Sequence, residues 1–259
     1  MSVTQFLILK IPTLVLGLAF VSGAVLLSVL GLLIVRRLTR RGILKEHHDV
    51  AGPIFGVLGA MYAVLLAFVV VSVWQSYDKT NANVQQEANY LADIYRDAEA
   101  FSPEFREKVV RLTREYRQEV ISKEWKSLAK GEMSPDVEKL MQQIWALYTA
   151  YEPQTFTQKS FFDESVRKLN SFRELRRQRL MDSQNGLPDL LWVVLIAGAL
   201  TTVSFTFLFE TGNPKGQVVM VALFSALVAL ILLTVLLMDF PFTGDITVPS
   251  TPFQQLLLD

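Results

Sequence analysis

The chain contains no cysteine, which excludes disulfide staples, thiolate metal sites and thiol nucleophiles. It has two histidines, His47 and His48, and they are adjacent. Neighbouring residues on a helix point in different directions, so the pair does not make a two-histidine metal site. An excess of charge of either sign is also missing, with 25 basic and 25 acidic residues. That balance argues against bulk binding to nucleic acid. The most informative absence is local. Residues 11–35, 54–74, 190–209 and 218–238 hold no charged side chain at all. Each stretch is long enough to cross a hydrocarbon core of about 30 Å as a helix, which few soluble core helices are.

Charge-free spans argue against a proton-coupled pump. Without an inverted repeat or a pair of broken helices, alternating-access transport also lacks its usual marks. The first apolar stretch is longer than a signal-peptide core and ends at Arg36-Arg37 with no small-residue cleavage site, so it reads as a span.

The charges that exist are gathered in one place. Residues 78–187 carry 18 of the 25 basic and 18 of the 25 acidic residues. The expected fold is therefore an all-α polytopic membrane protein with four transmembrane helices and a soluble helical insertion between spans two and three. Its segments are 1–75 (spans one and two with a basic connecting loop), 76–187 (the helical bundle), 188–240 (spans three and four) and 241–259 (a C-terminal tail).

The second span organises the rest. Between Gly56 and Phe101 the only glycine is Gly59 and there is no proline, so one helix can run from the membrane into the insertion. A heptad stripe follows it: Gly56, Ala60, Ala63, Ala67, Val70, Trp74, Tyr77, Asn81, Val84, Ala88 and Leu91 alternate steps of four and three. Within the membrane the stripe is small and smooth; beyond it the stripe is apolar with one buried-type polar residue, Asn81, which would set register if the seam joins several chains. Two explanations stand open: the stripe packs on other helices of the same chain, or copies of this helix surround an axis. Gly52, Gly56, Gly59, Ala60, Ala63, Ala67 and Val70 are the candidate pore-lining residues; Trp74, Tyr77, Asn81, Val84, Ala88 and Leu91 are candidates for a seam between copies.

The insertion reads as helices. Ser102-Pro103 and Ser134-Pro135 are helix starts, Gly131 is a stop, and Phe105, Val109, Leu112, Tyr116 and Val120 share one face. Glu115, Glu119, Asp163 and Glu164 as paired carboxylates, or Arg173, Arg176, Arg177 and Arg179 as an anion clamp, are outweighed by the ordinary reading of charge runs as solvated faces. Standing just before the third span, the arginines are candidates for lipid contact or an electropositive vestibule. No nucleophile–base arrangement emerges, so neither an enzyme nor a cofactor is expected. Gly17, Ser22, Gly23, Ser28 and Gly31 allow close packing of the first span. Hydroxyls at Thr201, Thr202, Ser204 and Thr206 are expected to bond back to their own helix or to a neighbour. Glu210 opens a short turn. Asp239 and Asp245, beside a Pro/Gly turn at the membrane boundary, could contact a cation, with helix termination the favoured reading; no metal site is expected.

The run GPIFGVLGAMYAVLLAFVVVSVWQSYD, the A-x-x-L-x-x-x-Y-R segment at Ala88–Arg96, Glu124-Trp125 and the terminal DFPFTGDITVPSTPF resemble the bestrophin-like family of four-span bacterial proteins. More remotely the chain is similar to bestrophins. That resemblance implies a pentameric anion channel with a helical domain between spans two and three and a pore neck on the second span. Matching Pro53-Ile54 and Val57-Leu58-Gly59 to the neck places Gly52, Gly56 and Ala60 where bestrophins carry bulky hydrophobic gates. Gly and Ala cannot make such a collar, so the constriction lies elsewhere or the helices touch. The Pro-Phe-x-Gly-Asp piece is similar to the start of the bestrophin calcium clasp but lacks its acidic run, which puts calcium gating in doubt.

A bacterial inner-membrane location follows from spans and resemblance. The basic residues Arg36, Arg37, Arg40, Arg41 and Lys45 favour a cytoplasmic loop and an extracytoplasmic insertion; the resemblance implies the reverse. Expected partners are further copies of the chain, membrane lipids and inorganic ions. The alternative is a non-conducting membrane sensor or scaffold whose helical domain binds a ligand or partner.

Overall fold

The computed structural model describes residues 3–38, 48–209 and 213–258. Arg40, Arg41, Lys45, His47 and Glu210, and the side chain of His48, lie outside the described residues. Helices α1 (Val3–Lys10), α2 (Thr13–Leu38) and α3 (His48–Asp97) are followed by α4 (Pro103–Glu119), a π-helical turn (Val120–Glu124) and α5 (Trp125–Leu128). Then come α6 (Pro135–Thr149), α7 (Phe156–Gln184), α8 (Asp189–Phe205), α9 (Pro214–Met238) and the short α10 (Thr251–Gln254). Four helices are long and apolar enough to span a membrane, and no strand occurs among the described residues. The second span does continue as one helix of 50 residues. Its Pro53 lies inside the helix, past the first turn, and forgoes the backbone hydrogen bond to the carbonyl four residues back.

The chain divides into two units: residues 10–75 with 186–239, and residues 1–9 with 76–185 and 240–259. The first nine residues, expected with the spans, group with the helical unit, and so does the C-terminal tail.

In the membrane unit, α3 buries Tyr62, Leu66, Val69 and Val73 against Leu195 of α8 and Val228, Leu232 and Val235 of α9. Tyr62 can be buried there because its hydroxyl donates to the Leu195 carbonyl at 2.9 Å. Its ring fills the notch left by Gly198, where a Cβ would overlap the ring. Gly17 admits Leu233 of α9, 3.1 Å from where a Cβ would sit, and Gly31 admits Phe207. Thr202 and Thr206 bond back to the carbonyls of Gly198 and Val203, as expected of hydroxyls in a lipid-embedded helix. The α2 end is tied by Arg36 donating to Gln217, whose amide in turn donates to the Phe209 carbonyl.

In the helical unit the 3.6-residue period decides the core. Phe105, Val109, Leu112 and Tyr116 of α4 are buried together with Val137, Met141, Ile144 and Tyr148 of α6, Leu169 and Phe172 of α7, and Val84, Ala88, Leu91 and Ile94 of α3. Ser134 and Ser102 precede proline-started helices, and Thr155 caps α7 by accepting from the Gln158 N–H at 3.1 Å. Tyr116, Val120, Glu124 and Leu128 are all fully buried. A spacing of four drifts about 40° per step on an ordinary α-helix; the wider π turn absorbs that drift and keeps all four facing inward. The tail closes the unit: Phe253 is buried, Trp125 donates to the Val248 carbonyl at 3.0 Å, and Arg114 donates to the Leu258 carbonyl at 2.6 Å.

Among the described residues two glycines take positive φ, Gly131 (72°) and Gly244 (91°). At Gly131 an added Cβ would meet nothing nearer than 3.5 Å, whereas at Gly244 it would overlap the Ile8 side chain of α1. Gly131→Ala is therefore expected to cost only the left-handed backbone strain, about 1–2 kcal/mol. Gly244→Ala adds overpacking to that strain and should cost about 2–4 kcal/mol. Thermal unfolding in detergent checks the order; equal costs would show that α1 yields freely at this turn.

Candidate functional site

The candidate pore face and the candidate seam part company in the structure. Gly56, Ala60, Ala63 and Ala67 are exposed in the single chain and Gly52, Gly59 and Val70 half-buried. No atom lies within 4 Å of where a Cβ would stand at Gly52, Gly56 or Gly59. Trp74 at 60 % exposure continues this open face. Farther along the same stripe, Tyr77 and Asn81 are half-buried, and Val84, Ala88 and Leu91 are buried in the core of one chain. These last three cannot form a seam between copies, which corrects that expectation. The reason is winding: a strict heptad drifts about 20° per repeat on a straight 3.6-residue helix, so about 100° over the five heptads from Gly56 to Leu91. The stripe therefore leaves the membrane unit open and enters the helical unit's own core.

The membrane part of α3 thus has three faces. One, carrying Tyr62, Leu66, Val69 and Val73, is buried in the chain. A second, small-residue face is open. A third is also open but large and apolar, with Val57 (62 % exposed), Met61, Val64, Phe68 (72 %) and Val71.

The arginines before the third span read as a solvated face, with lipid contact or a vestibule as the candidate special uses. Arg177 is exposed and forks onto Glu174 of its own helix, and Arg173 lies over the Trp145 ring at 4.7 Å. Arg176 and Arg179 are buried, so neither is offered to lipid or to a vestibule. Arg179 donates to both oxygens of Glu87, from Nε at 2.7 Å and from Nη2 at 3.0 Å, and Nη2 also stands 3.0 Å from Glu124. Arg176 donates to the other Glu124 oxygen at 3.2 Å and to Glu138. Tyr116 donates to Glu87 at 3.2 Å, and the Arg179 guanidinium lies 5.0 Å from the Trp125 ring centre. A guanidinium's fixed fork of donors meets two carboxylates inside the protein, which a solvated face never requires. These groups come from α3, α4, the π turn, α5, α6 and α7, so no sequence window contains them. A local signal did exist: Glu87 falls between Val84 and Ala88 on the apolar face of α3.

The imagined carboxylate pairs do not form. Glu119 pairs with Lys123 at 2.8 Å and Glu164 with Arg167, while Glu115 and Asp163 are exposed. Asp239 is buried and accepts from the Leu187 N–H at 2.6 Å and the Trp192 indole at 3.3 Å, joining the start of α8 to the end of α9. Its carboxylate is occupied as an internal acceptor, and Asp245 is exposed. Among the described residues no group of three or more His, Asp and Glu could hold a metal ion.

No curated protein sequence matches the chain. Its structure is similar to the crystal structure of a point mutant of a bacterial bestrophin homolog from Klebsiella pneumoniae, with a TM-score of 0.68 over 90 % of this chain and 94 % of that one, at 10 % identity. At that identity the likeness speaks for the fold. The sequence itself matches the Bestrophin-like domain over residues 22–253. Four spans, a helical unit between the second and third, and this match over most of the chain lead to one conclusion: the protein belongs to the Bestrophin-like family.

Proposed function

We propose that the protein is an oligomeric ion channel of five chains, with the small-residue face of the second span, from Gly52 to Val70, lining the path of the ion. One observation carries this reading. The membrane part of α3 buries one face in its own chain and leaves an unbroken small face, Gly56, Ala60, Ala63 and Ala67, uncovered beside a separate large apolar face. A helix meeting only lipid gains nothing from a smooth stripe of glycine and alanine. A ring of copies does, because small side chains let backbones approach closely or leave room for an ion between them. Family membership supports the same reading.

Native mass spectrometry of the detergent-solubilised protein, followed by anion and cation flux in liposomes, tests it. The expected result is one five-chain species that conducts. A monomer or dimer across mild detergents removes the pore and leaves a sensor or scaffold in its place.

A further inference from the structure

Inside the helical unit the ionised side chains form a row that alternates in sign: Glu87, Arg179, Glu124, Arg176, Glu138. The inner part of the row holds two acids and two arginines, and at the partly exposed end Arg173 adds its charge on Glu138, but Glu87 and Glu124 share one guanidinium, that of Arg179. Glu87, Glu124 and Arg179 are fully buried and Arg176 nearly so. Two buried acids that share one cation compete for it, and the ordinary remedy is a proton on one of them. Geometry selects which. Glu124 lies between both guanidiniums, at 3.0 and 3.2 Å. Glu138 is partly exposed and is held by Arg176. Glu87 stands at the inner end of the row with a single guanidinium and the Tyr116 hydroxyl, which serves as donor or acceptor by rotating.

We infer that Glu87 binds a proton that sets the grip of α7 on α3: protonated, it no longer competes with Glu124 for the Arg179 charge and the grip is closed; ionised, the two acids compete for one guanidinium and loosen it. Burial, the largest influence, pushes the Glu87 carboxyl above its usual range; Arg179 and Arg176 oppose this, and Glu124 adds to it. At the other end, burial raises the Glu138 carboxyl but the Arg176 hydrogen bond and charge outweigh it, so Glu138 stays ionised. Glu87 stands on the helix that carries the open small-residue face, so its proton governs how firmly that helix is held. The inference does not depend on conduction.

Because the carboxyl is raised above its unfolded-chain value, Glu87 contributes stability that is present at low pH and lost as pH rises through its folded value. The full chain in detergent is melted between about pH 4.5 and 7.5, where carboxylates with lowered values remain ionised. The wild type should gain about 3–5 °C for each pH unit of acidification across the Glu87 titration. Glu87→Gln, which resembles the protonated acid, should lose that slope and melt at or above the wild type near neutral pH. Tyr116→Phe removes a donor to the ionised form and should move the wild-type midpoint upward by about one pH unit. Parallel profiles for wild type and Glu87→Gln, a Glu87→Gln protein that melts lower or fails to fold near neutrality, or a midpoint unmoved by Tyr116→Phe would each overturn the inference.

Discussion

Replacing Arg179 with methionine is expected to destabilise the protein by about 3–5 kcal/mol, the cost of leaving buried charges without their partner. Methionine fills similar space, so the loss is electrostatic and not a cavity. Glu87 keeps only the Tyr116 hydroxyl as a donor, Glu124 loses one of its two guanidiniums, and the Trp125 and Phe253 rings lose the cation between them. Arg179→Lys should fall in between, because an ammonium keeps the charge but cannot present Nε and Nη2 together to one carboxylate. Thermal unfolding in detergent reads both. A methionine variant melting within a degree or two of the wild type would show that the row contributes no net grip. The contrast with Glu87→Gln is the point: removing one of the two acids that share Arg179 is tolerated, whereas removing the guanidinium deprives both of it.

The second large effect is on conduction. Gly56→Phe and Ala60→Trp should each reduce ion flux in liposomes to less than about a tenth of wild type, while the number of chains in the complex stays the same. Both positions are open in the single chain, so neither large side chain disturbs the packing of α3 on α8 and α9. Met61→Trp is the control: it is 68 % exposed, and one residue along a helix turns about 100° onto the large apolar face. It should conduct normally. Flux retained in both Gly56→Phe and Ala60→Trp would remove the assignment of this face. Flux lost together with the complex would instead make it the contact between copies.

The sequence by itself determined whatever depends on near neighbours. The absence of charge from four stretches determined the spans, because a charged group in hydrocarbon is costly wherever the chain goes next. The lack of glycine and proline beyond Gly59 determined the 50-residue helix. The 3.6 period of Phe105, Val109, Leu112 and Tyr116 determined an inward face, because a helix repeats the same directions every turn. The stripe from Gly56 to Leu91 was equally legible as a pattern but not as a surface. Only the tertiary structure decided that its first half is open and its second half buried, since that depends on real winding and on which helices stand alongside. The arginines show the same limit. Arg177 and Arg179 are two residues apart, one exposed on Glu174 and one buried on Glu87, 92 positions away in the chain. Burial and charge pairing are properties of three-dimensional neighbours, and no local spacing encodes them.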